Sequence, residues 1–331
     1  MTSLRTTALQ ELRVGTHTVH VKERLAEGGF GFVDLVVDAF SKKEMVLKRC
    51  NVDREESMII VKKEINILQR FANQYMVNLI ASDILQKNRT SREALLLMDY
   101  YPGGHLLDRL NMRNGTSLPM ESVFRIFGQL LLSLKPLHQN NPPIVHRDLK
   151  LENILFGSDG KVRLCDFGSC VEGYIYLRNI EERQAAEEII AKETTLIYRS
   201  PELVDLYLRD ILTEKSDIWA LGCIFYALCY LNHPFQNAGS LGILSAKLQF
   251  PSLSTVSSDT ILVIQRMLDP DPEARPDIPQ LIDAMVSLSA NKPLPAFELT
   301  AEAATRRQER LAANEVRLKK AAAKKPLPPA P

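Results

Sequence analysis

The sequence predicts a two-lobed α+β fold: a small β-rich lobe carrying one key helix, then a larger, mainly helical lobe. From about Val14 to Met98, short apolar runs (Val33–Val37, Met45–Leu47, Ala94–Met98) are separated by glycine or charged turns, as strands are. Pro102-Gly103-Gly104 marks a turn, and beyond it apolar residues recur over long helical stretches.

Each element follows from local pattern. In the first lobe, Ile59, Ile60, Leu68 and Phe71 stand at near-helical spacing, which predicts a single helix among the strands. Pro119 sits where a helix N1 proline would, ahead of an apolar-rich helix from Val123 to His138. The uncharged segment Ile218 to Leu231 is apolar all round. At roughly 14 residues it is too short to span a bilayer, so it reads as a buried central helix. The domain therefore runs over 14–290, with lobes at 14–98 and 104–290 joined by a connector at 99–103. Residues 1–13 form an N-terminal segment, and 291–331 form a tail that is basic, helix-prone from Ala301 to Lys325, and proline-rich at its end.

Lys+Arg and Asp+Glu stand at 41 against 40, a balance that argues against a nucleic-acid binder acting through its whole surface. The five cysteines (Cys50, Cys165, Cys170, Cys223, Cys229) lack metal-ligand spacing and read as reduced thiols. Met1 to Gln10 has neither an apolar leader core nor a glycine at position 2. The expectation is a cytoplasmic monomer, peripheral to membranes at most.

The chemistry-bearing segment is His146-Arg147-Asp148-Leu149-Lys150-Leu151-Glu152-Asn153, which resembles the protein-kinase catalytic loop H-R-D-L-x-x-x-N at every fixed position. Phosphoryl transfer demands positioning and charge neutralisation more than covalent chemistry. Asp148 would accept the substrate hydroxyl proton, and Asn153 would offer an amide oxygen to a metal. Asp166-Phe167-Gly168, after a strand-like Lys161–Cys165, resembles the DFG motif, whose carboxylate suits Mg²⁺ as a hard cation. Ala26-Glu27-Gly28-Gly29-Phe30-Gly31-Phe32-Val33 resembles the glycine-rich loop, with Gly28 and Gly31 in its second and third places and Ala26 in its first. Lys48 occupies the place of the phosphate-holding strand lysine, and Glu64, sixteen residues on, that of its helix partner. Tyr198-Arg199-Ser200-Pro201-Glu202 matches the end of an activation segment, with Glu202 expected to pair with Arg275, and Asp217-Ile218-Trp219 resembles the helix start that braces the catalytic loop. Lys150 and Thr195, seven residues before Glu202, point to serine/threonine rather than tyrosine specificity.

Leu164–Ser169, Thr194–Arg199, Asp217–Cys223 and Leu228-Cys229-Tyr230 together resemble the Numb-associated kinase family, which includes the adaptor-associated and cyclin-G-associated kinases. Ala26 fits this family. The resemblance runs from about Leu12 to Leu288. It implies ATP with Mg²⁺ (Mn²⁺ as a substitute), and a nucleotide site that adds Val33, Val46, Met98 as gatekeeper, hinge groups of Asp99 and Tyr101, and Leu155. It also implies serine/threonine protein substrates, with medium subunits of clathrin adaptors among them, and a role in endocytic traffic or cortical actin. An extra helix follows the activation segment in family members; Leu203–Leu208 is the expected counterpart. Glu187, Glu188 and Glu193 are read as carboxylates that stand in for a phosphate opposite Arg147, or as a solvated helix face.

Cys165 is read as core packing, with a reactive thiol as the second reading. The basic tail is read as a solvated, partly ordered helix, with contact to anionic lipid or an acidic partner second. The rival for the whole chain is a pseudokinase scaffold that binds partners without catalysis. Such proteins generally lose one of Lys48, Asp148, Asn153 or Asp166, and all four are present here.

Overall fold

Period-two alternation sorts the side chains of the first hundred residues onto two faces of one sheet. The computed structural model describes residues 10–28, 31–251 and 256–298, with isolated positions 301, 304, 305, 308 and 312 beyond them. Strands β1 (Glu11–Val14), β2 (His17–Gly28), β3 (Gly31–Asp38), β4 (Glu44–Asn51), β5 (Leu79–Gln86) and β6 (Arg92–Asp99) form an antiparallel sheet in the order β1-β2-β3-β4-β6-β5. Met45 and Leu47 of β4 pack into a cluster with Val14, Val19, Val36, Leu95 and Leu97. On the other face, Cys50 joins Ala94 and Leu96 against α1 (Glu55–Arg70). Lys48 has the parity of Cys50, so the pleat turns it toward that helix.

Helix α1 buries Met58, Val61, Glu64, Ile67 and Leu68. Its apolar face differs from the one the spacing of Ile59 and Phe71 suggested. Ile59 is 56% exposed and Phe71 caps the helix end. The sheet surface, not the isoleucine content, sets the phase, and that phase carries the carboxylate of Glu64 inward.

The second lobe begins with α2 (Leu106–Asn111) and α3 (Met120–His138). Short strands follow: β7 (Ile144–Val145), β8 (Ile154–Phe156), β9 (Val162–Leu164), β10 (Val171–Glu172) and β11 (Ile175–Tyr176). Then come α4 (Ile180–Glu193), α5 (Pro201–Val204), β12 (Ile211–Leu212), α6 (Lys215–Tyr230), α7 (Gly239–Ser245), α8 (Ser258–Met267) and α9 (Ile278–Ser289). Helix α6 is buried from Lys215 to Cys229; its uniform apolarity from Ile218 onward accounts for all but the polar first turn. Phe225 stacks on Phe127 of α3 at 4.3 Å, and Trp219 on Phe235 at 5.3 Å. Among the described residues no helix is long and apolar enough to cross a membrane.

The chain departs from the sequence reading in four further places. Glu11–Arg13, assigned to the terminal segment, are strand residues paired with Thr18–His20 of β2. Pro119 is the N-cap of α3 rather than its first helical residue. Residues 291–298, assigned to the tail, dock on the second lobe: Leu294 and Phe297 pack on its core, and Gln280 Nε2 donates to Glu298 O at 2.6 Å. Residues 203–208 form no helix of their own. Helix α5 stops at Val204, where Asp205 Oδ1 accepts the N–H of Tyr207 at 2.9 Å and Arg183 takes the carbonyls of Leu206 and Arg209. A longer helix, α4, lies instead before Glu202, inside the activation segment. The helix expected over 301–325 and the basic residues of the tail lie largely outside the described residues.

Candidate active site

The catalytic loop is held from beneath by a buried carboxylate. Asp217, in the first turn of α6, accepts the N–H of His146 (2.7 Å) and of Arg147 (2.9 Å) and meets His138 Nε2 at 2.9 Å. Burial opposes its charge, yet these partners hold its pKa below the ordinary carboxylate value. Its hydrogen bonds to the loop also offset the strain at Arg147, whose φ of 69° is unusual for a residue with a side chain.

Asp148 emerges from this loop 8% exposed. Its Oδ1 accepts the Thr195 hydroxyl at 2.8 Å, its Oδ2 accepts Lys150 Nζ at 2.6 Å, and Lys150 also donates to Thr195 Oγ1 at 3.2 Å. Asn153 donates its amide to Asp148 O at 2.8 Å. Three residues of the catalytic loop and one of the activation segment, far along the chain, thus share one hydrogen-bonded cluster.

Across the cleft, Lys48 donates to both oxygens of Glu64 (2.8 and 2.9 Å) and to Asp166 Oδ1 (3.2 Å). Burial works against charge on the ammonium, but the two carboxylates prevail and raise its pKa. Lys48 in turn lowers that of Asp166. Asp166 is aimed at Lys48 because its neighbour Phe167 is fully buried, edge-on to His146 at 5.2 Å. The backbone of Asp166 has φ 64°, so packing of Phe167 maintains a conformation the carboxylate alone would not choose.

Lys48, Glu64, Asp148, Lys150, Asp166 and Thr195 line one interlobe cavity of about 310 Å³. Asn153 lies beneath it, buried against Asp148. The remaining expected nucleotide residues are not in that lining. Val33 and Val46 sit beside Lys48 and Met98 in the sheet register (Val33↔Lys48, Val46↔Met98), and Leu155 bridges to His105 below them. Ala26 pairs with Val33 on β2. Gly31 has φ 142°, and a Cβ there would come within 1.8 Å of Arg49 O, so only glycine fits. Gly28 ends β2 with open space around it. The Asp99 N–H is bonded to Asn78 O at 3.2 Å, which leaves its carbonyl as the backbone group it can offer. The Tyr101 hydroxyl accepts the N–H of Asn78 at 3.0 Å.

Of the three acidic residues considered opposite Arg147, Glu193 makes the contact; its carboxylate accepts Arg147 Nη2. Glu187 and Glu188 are exposed elsewhere on α4. Sequence reasoning missed Arg199. Its guanidinium bonds Thr194 Oγ1 (2.6 Å), Thr194 O (3.0 Å) and Ile190 O (3.1 Å), closing the C-terminal end of α4. Its only signal was its place between Tyr198 and Ser200. Cys165 donates Sγ–H to Asn153 O at 3.3 Å, and burial raises its pKa, which favours the packing reading over a reactive thiol. Glu202 and Arg275 form the expected buried ion pair, with contacts of 2.6 and 2.8 Å.

A catalytic aspartate, a paired lysine and a metal-ready carboxylate at the junction of a sheet lobe and a helical lobe define a phosphotransferase of the protein kinase type. The protein kinase domain model matches residues 19–286, and the chain belongs to that family. It is 37% identical over 286 residues to a probable serine/threonine-protein kinase of Dictyostelium discoideum, covering 86% of this chain and 25% of that protein. It is 34% identical over 297 residues to Actin-regulating kinase 1 of Saccharomyces cerevisiae (87% and 46%), and 35% identical over 292 residues to a second actin-regulating kinase of that yeast (86% and 36%). The chain thus spans between a quarter and a half of the length of these relatives.

Proposed function

We propose that this protein transfers the γ-phosphoryl group of ATP to serine or threonine hydroxyls of protein substrates, with Mg²⁺ as the metal. The observation that carries the reading is the Asp148–Thr195–Lys150 cluster facing Asp166 and Lys48 across one cavity. Asp166 and Asn153 would hold the cation together with phosphate oxygens and water, the usual arrangement for Mg²⁺. The bound metal nucleotide supplies the phosphoryl group and neutralises its charge.

The chain's own residues do the rest. Lys48, fixed by Glu64, grips the phosphates near Asp166. Asn153 spends its N–H on Asp148 O, which leaves its amide oxygen for the cation. Thr195 and Lys150 fix the plane of the Asp148 carboxylate, so that a substrate hydroxyl is oriented for in-line attack and its proton has an acceptor. Lys150 then sits where negative charge accumulates on the transferring group. Val33, Val46, Met98 and Leu155 provide apolar surfaces for the base, with Ala26, Gly28 and Gly31 along the loop above and hinge groups of Asp99 and Tyr101 at the edge.

Within the kinases, we assign the chain to the Numb-associated group on the motifs quoted above. Similarity to actin-regulating kinases supports a role in actin regulation; a role in clathrin-adaptor traffic, in the cytoplasm, on substrates such as adaptor medium subunits is proposed from the motif resemblance alone.

The test is incubation of purified protein with labelled ATP, Mg²⁺ and matched serine, threonine and tyrosine peptides. Label on serine or threonine, absent from Asp148→Asn, is expected. Label confined to tyrosine would contradict the assignment, and no transfer from folded protein would return the scaffold reading. Phosphorylation of a purified adaptor medium subunit on threonine tests the finer claim.

A further inference from the structure

A second cavity, of about 260 Å³, lies between α4 and the loop that follows α5. Its apolar wall comes from Ile190, Leu203, Val204 and Leu206. Tyr207, 69% exposed, stands at its edge under the guanidinium of Arg183, 5.2 Å away. The two arginines that line it are already satisfied. Arg183 holds the carbonyls of Leu206 and Arg209 (the latter at 3.0 Å) and Asp210 Oδ1 at 2.7 Å, and Arg199 holds the end of α4. The open charge at this cavity is acidic: of the two carboxylates that line it, Asp205 accepts the N–H of Tyr207, and Glu187, among the described residues, makes no hydrogen bond or ion pair.

The cavity neighbours the interlobe cavity, the Arg199–Thr194 contact standing between them. Arg199 lines it and bonds Thr194, and the next residue, Thr195, bonds Asp148. An extended peptide rises about 3.3 Å per residue, so a chain with its hydroxyl at Asp148 spans about 13 Å to either side within four residues, the scale of the bonded path from Asp148 through Thr195 and Thr194 to Arg199 at the cavity wall. An apolar wall with a free carboxylate at the mouth suits a side chain with a hydrocarbon stem and a cationic head.

We propose that this cavity is a substrate subsite for a lysine or arginine close to the phosphorylated residue, with Glu187 as the charge that selects it. The proposal rests on the kinase reading and names the substrate chemistry of the same site.

The experiment is a positional scan of threonine peptides in which each of four positions on either side of the threonine is in turn Ala, Lys, Arg or Glu. It is run with the wild type, Glu187→Gln and Glu187→Lys. Glu187 is exposed and mid-helix, and both replacements are good helix formers, so the fold persists. The wild type should favour Lys or Arg over Ala at one position, through KM, by roughly three- to tenfold, as for a partly sheltered ion pair. Glu187→Gln should lose that preference and Glu187→Lys should turn it toward Glu, while all three turn over the Ala peptide equally. Indifference of the wild type to basic residues at every position, or an unchanged preference in Glu187→Lys, overturns the subsite alone. A wild type that phosphorylates none of the peptides overturns the kinase reading and the subsite with it.

Discussion

Arg147 ties together the two ends of the activation segment: its Nε donates to Ser169 O at 2.6 Å near the start, and its Nη2 to the carboxylate of Glu193 at the end of α4. Both side chains are sheltered, so the pair is little screened by salt. A fixed carboxylate supplies the anion that a phosphate supplies in switchable segments. The segment should therefore be ordered without modification. Phosphatase treatment of purified protein is expected to leave kcat unchanged, while Glu193→Gln lowers it roughly tenfold, equivalent to about 1.4 kcal/mol. Loss of activity on phosphatase treatment would refute the built-in anion.

Asp148 and Thr195 act at different levels of the same step. Asp148→Asn removes the proton acceptor and should lower kcat by about 10³, within the usual range for such a group. Thr195→Val removes only one of the bonds that orient Asp148, since Lys150 still holds Oδ2, so a loss of roughly tenfold is expected. Neither residue is needed to hold the base or Lys48. Nucleotide affinity by calorimetry should stay within about twofold in both. Equal turnover by Asp148→Asn would remove the assignment.

The Glu202–Arg275 pair is buried, and Arg275 also donates to the carbonyls of Asp269 and Lys215, each at 2.8 Å. Arg275→Met strands a buried carboxylate and should cost about 3–5 kcal/mol in urea unfolding, whereas the double replacement with Glu202→Met recovers part of that. Burial opposes the Glu202 charge, but Arg275 brings its pKa below the ordinary value. The pair's contribution is thus fully present above about pH 4.3, the unfolded carboxylate value, and fades as pH falls through the lower folded value. A wild type with no acid loss attributable to Glu202, judged against the double variant, would contradict this.

His233 contributes to the pH dependence just below neutrality, alongside His146, whose pKa burial also lowers. Its ring stands edge-on to Tyr198 at 4.7 Å, its Nδ1 accepts the N–H of Phe235 at 3.1 Å, and burial lowers its pKa to about 4. The unfolded chain takes up a proton there near pH 6.5 and the folded chain does not, so stability falls as pH drops from about 6.5 toward 4. The gap between those values is worth at most about 3 kcal/mol. His233→Asn, whose Oδ1 can accept the same N–H, should flatten the slope in that window. An unchanged slope would show that His233 is not its source.

The pairing of Lys48 with Glu64 is legible in the sequence, because a strand lysine and a helix carboxylate sixteen residues on are brought together by two regular periods. The cluster around Asp148 is legible for a similar reason: its members sit in short motifs of fixed spacing. Helix α4 also carries local signals, which the family resemblance overshadowed by pointing to the residues after Glu202. Asn179 caps it by accepting the N–H of Glu182, and Glu182 in turn accepts the N–H of Arg178, ahead of a run of good helix formers. The docking of Leu294 and Phe297 is not legible, since two apolar residues in a polar stretch carry no period.

The choice among Glu187, Glu188 and Glu193 shows the limit most clearly. Composition offers three equivalent carboxylates. On a helix turning about 100° per residue, Glu187 and Glu188 lie more than about 100° around from Glu193, so a single carboxylate can meet Arg147. What the sequence determined by itself was the set of reacting groups and the local elements that carry them, because motifs and periods are short-range. Which acid faces Arg147, which end of α4 Arg199 closes, and which carboxylate is left open at the second cavity were settled only when α4 packed against the catalytic loop. Those outcomes depend on contacts between residues far apart in the chain, which no local pattern encodes.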